Sequence, residues 1–378
     1  MSQAVLFTRE PVVNKKRVIT ANRLIAHGPN IPSVTETLNT VGKYWPEQYP
    51  VFLSLGKLIP TPELMDWQIP PNALVEIPAQ TLGHPKTQAL IALLQQAGVG
   101  LCLTWYRQGM TLPPDTNWRF ILIDGRKNPT PHGAPGLSLA WGLSDVAAFK
   151  QAVANGYDGG SGWFFLNGAS PAKELAANHV QIIRLLNLVR SNGEIREIEN
   201  VLKLDVALSY KLLRYINSPG FGLMVEIQSF RHAVSILGYD KLNKWLSLLL
   251  VTASRDPGAA AMMQTAIARG RFMEQIGAIF LDNAGCENLF ITGAFSMLST
   301  LLGTSMQAIL DEMLLPEPII DALLYDQGEH AQFLRLARAC ESFDPSILIQ
   351  TANDLHLTPE QINQAQLLAL GFADSLQT

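Results

Sequence analysis

One stretch of the chain gathers residues that could bind a phosphate group or a metal ion. In LKLDVALSYKLLRYINSPGFG (202–222), Asp205 comes early, Lys211 and Arg214 are basic, and Asn217 precedes Ser-Pro-Gly. The same residue types serve a helix, because an acid caps its amino end and proline with glycine ends it. Taken alone, these residues fit either a binding site or an ordinary amphipathic helix.

Side chains that commonly hold metals are scattered through the sequence. None of the seven His is followed by Asp, and Cys102, Cys286 and Cys340 stand outside any C-x-x-C pair. Metal-dependent hydrolysis needs clustered ligands that hold the ions activating water. We therefore expect no metal site and no cofactor, and we expect the cysteines to be buried, reduced hydrophobic residues.

Three further patterns have ordinary structural explanations. Lys15-Lys16-Arg17 falls in a predicted hairpin turn, and Gly156–Gly162 lacks the G-K-[ST] of a phosphate-binding loop. The segment 240–250 (DKLNKWLSLLL) follows a possible turn, but it is too apolar for a helix that reads DNA. We expect no nucleic-acid partner.

Length and composition predict a two-domain globular protein. The chain has 378 residues, of which 48% are hydrophobic and 16% charged. Residues 1–171 hold 13 Lys and Arg against 10 Asp and Glu, a balance of +3, and the remainder holds 15 against 22, or −7. An acidic second half is poorly suited to phosphate backbones. Since residues 1–11 lack a signal-peptide pattern and 245–253 is too short to span a bilayer, we expect a cytoplasmic protein without membrane contact.

The first half alternates short apolar runs with helical patterns. The predicted strands are 4–7, 18–21, 51–55, 73–77, 100–104, 120–123, 137–141 and 162–165. Helical spacing occurs at 86–96 and 145–155, whereas 128–136 is a Pro/Gly loop where a helix would normally lie. This pattern predicts a compact, mostly parallel barrel with several helices cut short.

The second half reads as successive helices from residue 172 to residue 376. Ser229 is expected to cap one of these helices and Gly238 to close it, and another helix is expected at 206–216. The boundary falls near 167–175, which predicts domains at 1–170 and 171–378.

The helical half resembles the HDOD domain of bacterial signalling proteins. The resemblance is carried by LKLDVALSYKLLRYINSP (202–219), IQSFRHAVSILGYDKLNKWLSLLL (227–250), FITGAFSMLSTLLG (290–303) and LPEPIIDALL (315–324). Its signature positions are Asp205, Leu213, Asn217, Ser218, Ser229 and Gly238. This resemblance implies a fold related to HD-type phosphohydrolases but without their metal ligands. From its residue type and position, Asp205 is expected to cap a helix.

The first half resembles the EAL domain, a barrel that hydrolyses cyclic di-GMP. The matching landmarks are 7–28, 50–55, 73–80, 98–106, 120–125, 139–145 and 156–165, in the family's order. An EAL domain joined to an HDOD domain is itself a known arrangement. The implied fold class is multidomain: a trimmed (β/α) TIM-like EAL barrel followed by an all-helical HDOD domain.

The resemblance also implies that most of the EAL site has been lost. Positions where the family carries metal-binding or ligand-positioning side chains hold Asn22, Ser54, Ala79, Thr104, Trp105, Leu122, Trp141, Ser144 and Ser161. Only Glu76 and Asp124 remain of the acids. Mg²⁺ needs near-octahedral oxygen ligation, which two carboxylates do not supply. They are expected to be structural polar residues at the barrel mouth, with a residual ligand role as the alternative.

Three tryptophans are expected at the same mouth: Trp105, Trp141 and Trp163. They would either fill the disused site or stack on a guanine base.

These inferences predict a bacterial pseudoenzyme that acts in signal transduction by binding a partner protein. The alternatives are a receptor that binds cyclic di-GMP without cleaving it, and a weak residual cyclic di-GMP phosphodiesterase. No catalytic, metal or cofactor-binding residue is assigned.

Overall fold

A computed structural model of the chain describes residues 4–131, 133–167, 177–203, 217, 227, 230–252 and 259–376. The chain forms two compact units: residues 1–168 together with 338–367, and residues 169–337 together with 368–378.

The first unit is built on a closed barrel of eight strands in sequence order. The strands are β1 (Leu6–Asn14), β2 (Ile19–His27), β3 (Val51–Ser54), β4 (Ala73–Pro78), β5 (Gly100–Thr104), β6 (Trp118–Asp124), β7 (Leu137–Trp141) and β8 (Gly159–Ser161). β1 runs antiparallel to both of its neighbours, β2 and β8, whereas the other neighbouring pairs are parallel.

The first hairpin is longer than the sequence predicts, since β1 and β2 each contain nine residues. Its turn is held by Asn14. The side chain of Asn14 accepts hydrogen bonds from the backbone N–H groups of Lys16 and Val18. Arg17 takes a positive φ of 60°, as tight hairpin turns require. The strand predicted at 162–165 is replaced by β8 and a 3-10 turn at Phe164–Leu166.

The predicted TIM-like (β/α) barrel is wrong, because helices do not alternate with the strands. The α-helices between strands are α1 (Ile31–Val41), α2 (Pro85–Gln96) and α3 (Val146–Ala154). The chain passes from β5 to β6, and from β6 to β7 over its described residues, without a helix. These connections contain Pro113-Pro114 and Pro129, which lack the N–H that a helix interior uses. The fold is a mixed barrel with one antiparallel strand.

The remaining described residues are helical, which confirms the all-helical prediction for this part of the chain. The helices are α4 (Ala177–Arg190), α5 (Ile195–Lys203), α6 (Phe230–Val251), α7 (Ala260–Gly277), α8 (Asn283–Phe295), α9 (Leu298–Leu302), α10 (Met306–Leu310), α11 (Glu317–Ile320), α12 (Gly328–Ala339), α13 (Pro345–Asp354) and α14 (Pro359–Ser375). Among the described helices, none is long and apolar enough to cross a membrane. The helix predicted at 206–216 lies outside the described residues.

Residues 338–367 complete the barrel unit by covering a free edge of β1. β1 pairs with β8 only at residues 12–14, so its earlier part has no strand on that side. The amide of Asn363 donates to the carbonyl of Val5 and accepts from the N–H of Phe7, at 2.9 and 3.0 Å. Gln366 donates to the carbonyl of Phe7 at 2.8 Å.

The backbone of Arg9 continues this covered edge. Its N–H donates to the carbonyl of Cys340 at 2.8 Å, and its guanidinium forms a buried 2.8 Å ion pair with Glu341. Buried backbone groups need partners, and here helix side chains and a loop carbonyl supply what a strand would otherwise provide.

Candidate functional site

The barrel interior is filled by one apolar side chain from each of seven strands. This cluster contains Val12, Ala21, Phe52, Leu74, Cys102, Leu122 and Leu139. Side chains from opposite sides of a closed barrel meet only inside it, so these residues mark the inner face of every strand that contributes. The interior at this level is apolar and well filled.

A second, more polar layer of inward-facing side chains lies next to this cluster, towards the carboxyl ends of the parallel strands. Side chains alternate along a strand, so residues two positions further along share the inner face. The inner-face residues of this layer are Glu10, Arg23, Ser54, Glu76, Thr104, Asp124 and Trp141. Ser161 on β8 joins them, because its hydroxyl donates to Glu10 at 3.2 Å. The fold therefore brings together six of the eleven positions that the EAL resemblance implies: Ser54, Glu76, Thr104, Asp124, Trp141 and Ser161.

Glu76 is neutralised by an arginine of the same chain. Nε and Nη2 of Arg23 donate to the two carboxylate oxygens of Glu76 at 2.5 and 2.8 Å. Nη1 of Arg23 donates to Glu10 at 3.0 Å, so the guanidinium joins β2 to both β4 and β1. Burial alone would disfavour its charge, but the carboxylates of Glu76 and Glu10 raise the pKa of Arg23 above its usual value. This side chain is a fixed cation inside the barrel.

The Glu10–Arg23–Glu76 group is poorly suited to bind a divalent ion. Both carboxylates are almost fully buried, and the arginine takes both oxygens of Glu76 and one of Glu10. The second oxygen of Glu10 accepts no hydrogen bond among the described residues. No group of three or more His, Cys, Asp or Glu suited to a metal ion occurs in the part of the chain that the structure describes.

Asp124 is neutralised in the same way at the end of β6. Nε and Nη2 of Arg126 each donate to one of its oxygens at 2.9 Å, and the backbone N–H of Arg126 donates at 3.1 Å. The hydrogen bond from Arg126 holds the pKa of Asp124 below its usual value. The guanidinium carbon of Arg126 also lies 5.0 Å from the ring centroid of Trp141. Asp124 thus holds an arginine against an aromatic ring.

Trp105 does not fill the barrel interior. Its indole is 49% exposed and meets Trp141 edge to face, with ring centroids 4.5 Å apart. Trp105 also has a φ of 60°, which is unusual for a bulky residue. Trp163 instead packs beside Arg9 and Phe165.

Asn22 is a further expected position that does not join the interior layer. It lies between Ala21 and Arg23 on β2, and strand alternation turns its side chain to the opposite face. Sequence reasoning identified Asn22 and passed over its neighbour Arg23, and it also passed over Glu10 and Arg126. The available signal was the period of two along β2, which sets Arg23 on the same face as Ala21.

The helical unit places two of the HDOD signature residues. Asn217 holds Ile227 with two hydrogen bonds: its amide donates to the carbonyl at 2.8 Å, and its oxygen accepts from the N–H at 2.7 Å. Gly238 has φ 73° and ψ 173°, which breaks α6 into two helical parts where the sequence predicts a helix end. Asp205, Leu213, Ser218 and Ser229 lie outside the described residues.

A buried charge network lies between α6 and α7. Lys244 donates to one oxygen of Glu274, and Arg271 donates to the other at 2.7 Å. Burial lowers the pKa of Lys244 although Glu274 favours its charge. The acid is thus paired with two cations, and the arrangement crosslinks the helices.

Comparison with known proteins identifies the family of part of the helical region. The HDOD domain model matches residues 174–309. The uncharacterized protein YuxH of Bacillus subtilis (strain 168) is 25% identical over 254 residues, covering 65% of this chain and 61% of YuxH. The cyclic di-GMP phosphodiesterase CdgJ of Vibrio cholerae is 28% identical over 221 residues, covering 57% of this chain and 50% of CdgJ. The chain therefore spans only half to about three fifths of these relatives.

A solved structure from Shewanella amazonensis SB2B aligns with 54% of this chain and 94% of its own, at a TM-score of 0.38 and 15% identity. That similarity is too low to support an argument. The family match confirms the predicted HDOD domain: residues 174–309 of this chain are an HDOD domain.

Proposed function

We propose that this chain is a non-catalytic signalling protein that acts by binding a partner protein. The observation that carries the proposal is that both acids retained from the EAL pattern, Glu76 and Asp124, are occupied by arginines of the same chain. A two-metal phosphodiesterase needs its carboxylates free for the ions that activate water and stabilise the leaving oxygen. With the acids paired, this chemistry has no place to occur.

The relatives support a signalling role. The chain is distantly similar to CdgJ, a cyclic di-GMP phosphodiesterase, and it carries an HDOD domain. On our proposal, the barrel is a degenerate EAL-type domain that has kept its fold and lost its reaction. Partner binding then takes place on surfaces of the barrel and of the HDOD domain.

A second candidate function is a receptor that binds cyclic di-GMP without cleaving it. The half-exposed indole of Trp105 beside the guanidinium of Arg126 favours this alternative, because aromatic rings and arginines both stack on nucleobases. Weak residual hydrolysis is a third possibility, and the paired acids argue against it.

Calorimetry with cyclic di-GMP, run with and without Mg²⁺ or Mn²⁺ and paired with a product assay, tests these functions. CdgJ serves as the active control. We expect neither binding nor turnover by the full chain at high micromolar nucleotide. Tight binding without product would favour the receptor, and metal-dependent product would overturn the proposal.

Glu76→Gln and Asp124→Asn in the full chain provide a second test in cells. Both variants keep a hydrogen-bonding group facing the arginine, and so they change the charge with less structural damage than alanine. We expect signalling to survive both substitutions. Loss of signalling in a variant that keeps its wild-type melting temperature would contradict a non-catalytic role.

A further inference from the structure

The ends of β5, β6 and β7 carry a solvent-exposed group of side chains that the barrel itself does not need. We call Trp105, Trp141 and Arg126 the mouth platform. Trp105 exposes about half of its surface and adopts a backbone conformation that L side chains rarely take. An exposed, strained tryptophan is a poor means of filling space, so its presence at this surface points to contact with another molecule.

The mouth platform is held in one arrangement. Asp124 fixes the guanidinium of Arg126 with two 2.9 Å hydrogen bonds, and the guanidinium lies over the ring of Trp141. Gly142 leaves room for it: its φ is +73°, and a Cβ there would lie 2.8 Å from Nε of Arg126. Trp141 in turn meets the edge of Trp105. A surface that is already ordered loses less conformational entropy when it binds.

The charge around the mouth platform is basic where solvent reaches it. Arg107, Arg126 and Lys127 are exposed, whereas Asp124 is buried in its pair and Asp145 is a half-buried helix cap. Asp124 engages Nε and Nη2 of Arg126, which leaves Nη1 without a hydrogen-bond partner among the described residues. The side chain of Arg126 is 58% exposed.

We propose that the mouth platform is the docking surface for an acidic segment of a partner protein. An apolar side chain of that segment would lie on Trp105, and a carboxylate would accept from Nη1 of Arg126. This inference rests on the proposed function and names the surface that serves it. Tryptophan and arginine are the residue types that dominate binding energy at protein interfaces.

The ring geometry favours a peptide over a planar base. Trp105 and Trp141 are nearly perpendicular at 76°, so they do not form a parallel slot for a base. Arg126 already covers a face of Trp141. An open surface with one exposed indole and flanking cations suits an extended chain that carries alternating apolar and acidic side chains.

Selection from a random peptide library displayed on phage, panned against the full chain, tests the proposal without a known partner. We expect enriched peptides to carry Asp or Glu next to an aromatic or aliphatic residue. Calorimetry with a synthetic copy of an enriched peptide should show at least tenfold weaker binding to Trp105→Ala and to Arg126→Gln than to the wild type. Affinity should also fall as salt rises. Phe343→Ala, which removes a 64% exposed aromatic of the same unit, is the matched control and should bind normally.

The possible outcomes separate this proposal from the proposed function. Each variant is first checked by its circular dichroism spectrum and melting temperature. Peptides that lack acids, or that bind Trp105→Ala as tightly as the wild type, would overturn the docking surface and leave the adaptor function standing. Binding of cyclic di-GMP that depends on Trp105, without any platform-dependent peptide, would make the platform a nucleotide site and overturn both. Metal-dependent turnover would overturn the proposed function itself.

Discussion

At the residue scale, the decisive feature is that arginines of the same chain pair with the buried acids of the barrel. Arg23 meets two buried carboxylates and Arg126 meets one, each through the planar fork of donors that matches a carboxylate. A guanidinium is a permanent cation with fixed geometry, so it supplies the positive charge that buried acids require.

Removing Arg23 should therefore destabilise the protein strongly. Arg23→Met leaves Glu10 and Glu76 buried without their cation, and breaking such a group costs about 3–5 kcal/mol. We expect a clear fall in the urea midpoint of the transition assigned to the barrel, followed by tryptophan fluorescence. Lys86→Met removes an exposed pair with Glu63 and should hardly move the midpoint. A shift no larger than that of this control would show that Arg23 does not carry the interior charge balance.

Trp105 offers a second test at the same scale. Trp105→Gly and Trp105→Ala lose the same indole, but only alanine keeps a Cβ in the left-handed conformation at φ 60°. That conformation costs an L residue about 1–2 kcal/mol, from which the greater freedom of glycine in the unfolded chain subtracts about 0.5–1 kcal/mol. The glycine variant should melt at a slightly higher temperature than the alanine variant. The reverse order would mean that the backbone relaxes when the indole is lost.

His330 gives a pH dependence to the helical unit. It is buried, lies 3.0 Å from the hydroxyl of Thr292, and burial lowers its pKa below the usual 6.5. Because the unfolded chain then binds the proton more readily, the stabilising effect is complete above about pH 6.5 and is lost as pH falls towards the folded pKa. The melting temperature should drop over this interval, and His330→Gln should reduce the drop. An NMR titration of the His330 ring with a midpoint at or above 6.5 would contradict this prediction.

At the scale of elements, the barrel is completed by helices from the far end of the chain. Asn363 on α14 bonds the backbone of Val5 and Phe7 as a neighbouring strand would, and it is fully buried. An isolated strand edge presents a row of unpaired N–H and C=O groups. The two amide side chains of α14 satisfy them without adding a strand.

Asn363→Ala should destabilise the barrel unit because it leaves two buried backbone groups without partners, at about 1–3 kcal/mol each. Hydrogen exchange should show faster exchange of the Phe7 amide. Gln350→Ala, which removes an exposed amide from α13, is the matched control and should leave that exchange unchanged. Unchanged Phe7 protection in Asn363→Ala would mean that water replaces the lost bonds at no cost.

At the scale of the whole molecule, the barrel unit is discontinuous in sequence, since residues 338–367 belong to it as well as residues 1–168. A protein ending at residue 337 should therefore lose the partners of Val5, Phe7 and Arg9. We expect that truncated protein to lose near-ultraviolet circular dichroism and to aggregate through the uncovered edge. The same truncation with residues 338–367 supplied as a separate chain should regain part of the signal. A truncated protein with wild-type spectra and solubility would show that the barrel closes without them.

The sequence by itself determined the local elements and one family. Six of the eight strands were found near their observed positions because buried strands have apolar runs bounded by turn residues, and Gly238 marked a break in helix α6 because only its backbone freedom fits there. The HDOD resemblance was confirmed from a continuous block of signature residues. These are properties of neighbours along the chain.

Tertiary structure alone decided the architecture of the barrel and the state of its acids. No local pattern shows that β1 runs antiparallel, or that Asn363 forms hydrogen bonds with Val5 and Phe7. The pairing of Glu76 with Arg23 joins residues 53 positions apart in sequence. Such contacts depend on which face of each strand lies inside the closed barrel. A difference of one residue along β2 places Arg23 in the interior instead of the expected Asn22. The sequence identifies Glu76 and Asp124 as candidate residues, but only the closed barrel shows which arginines pair with them.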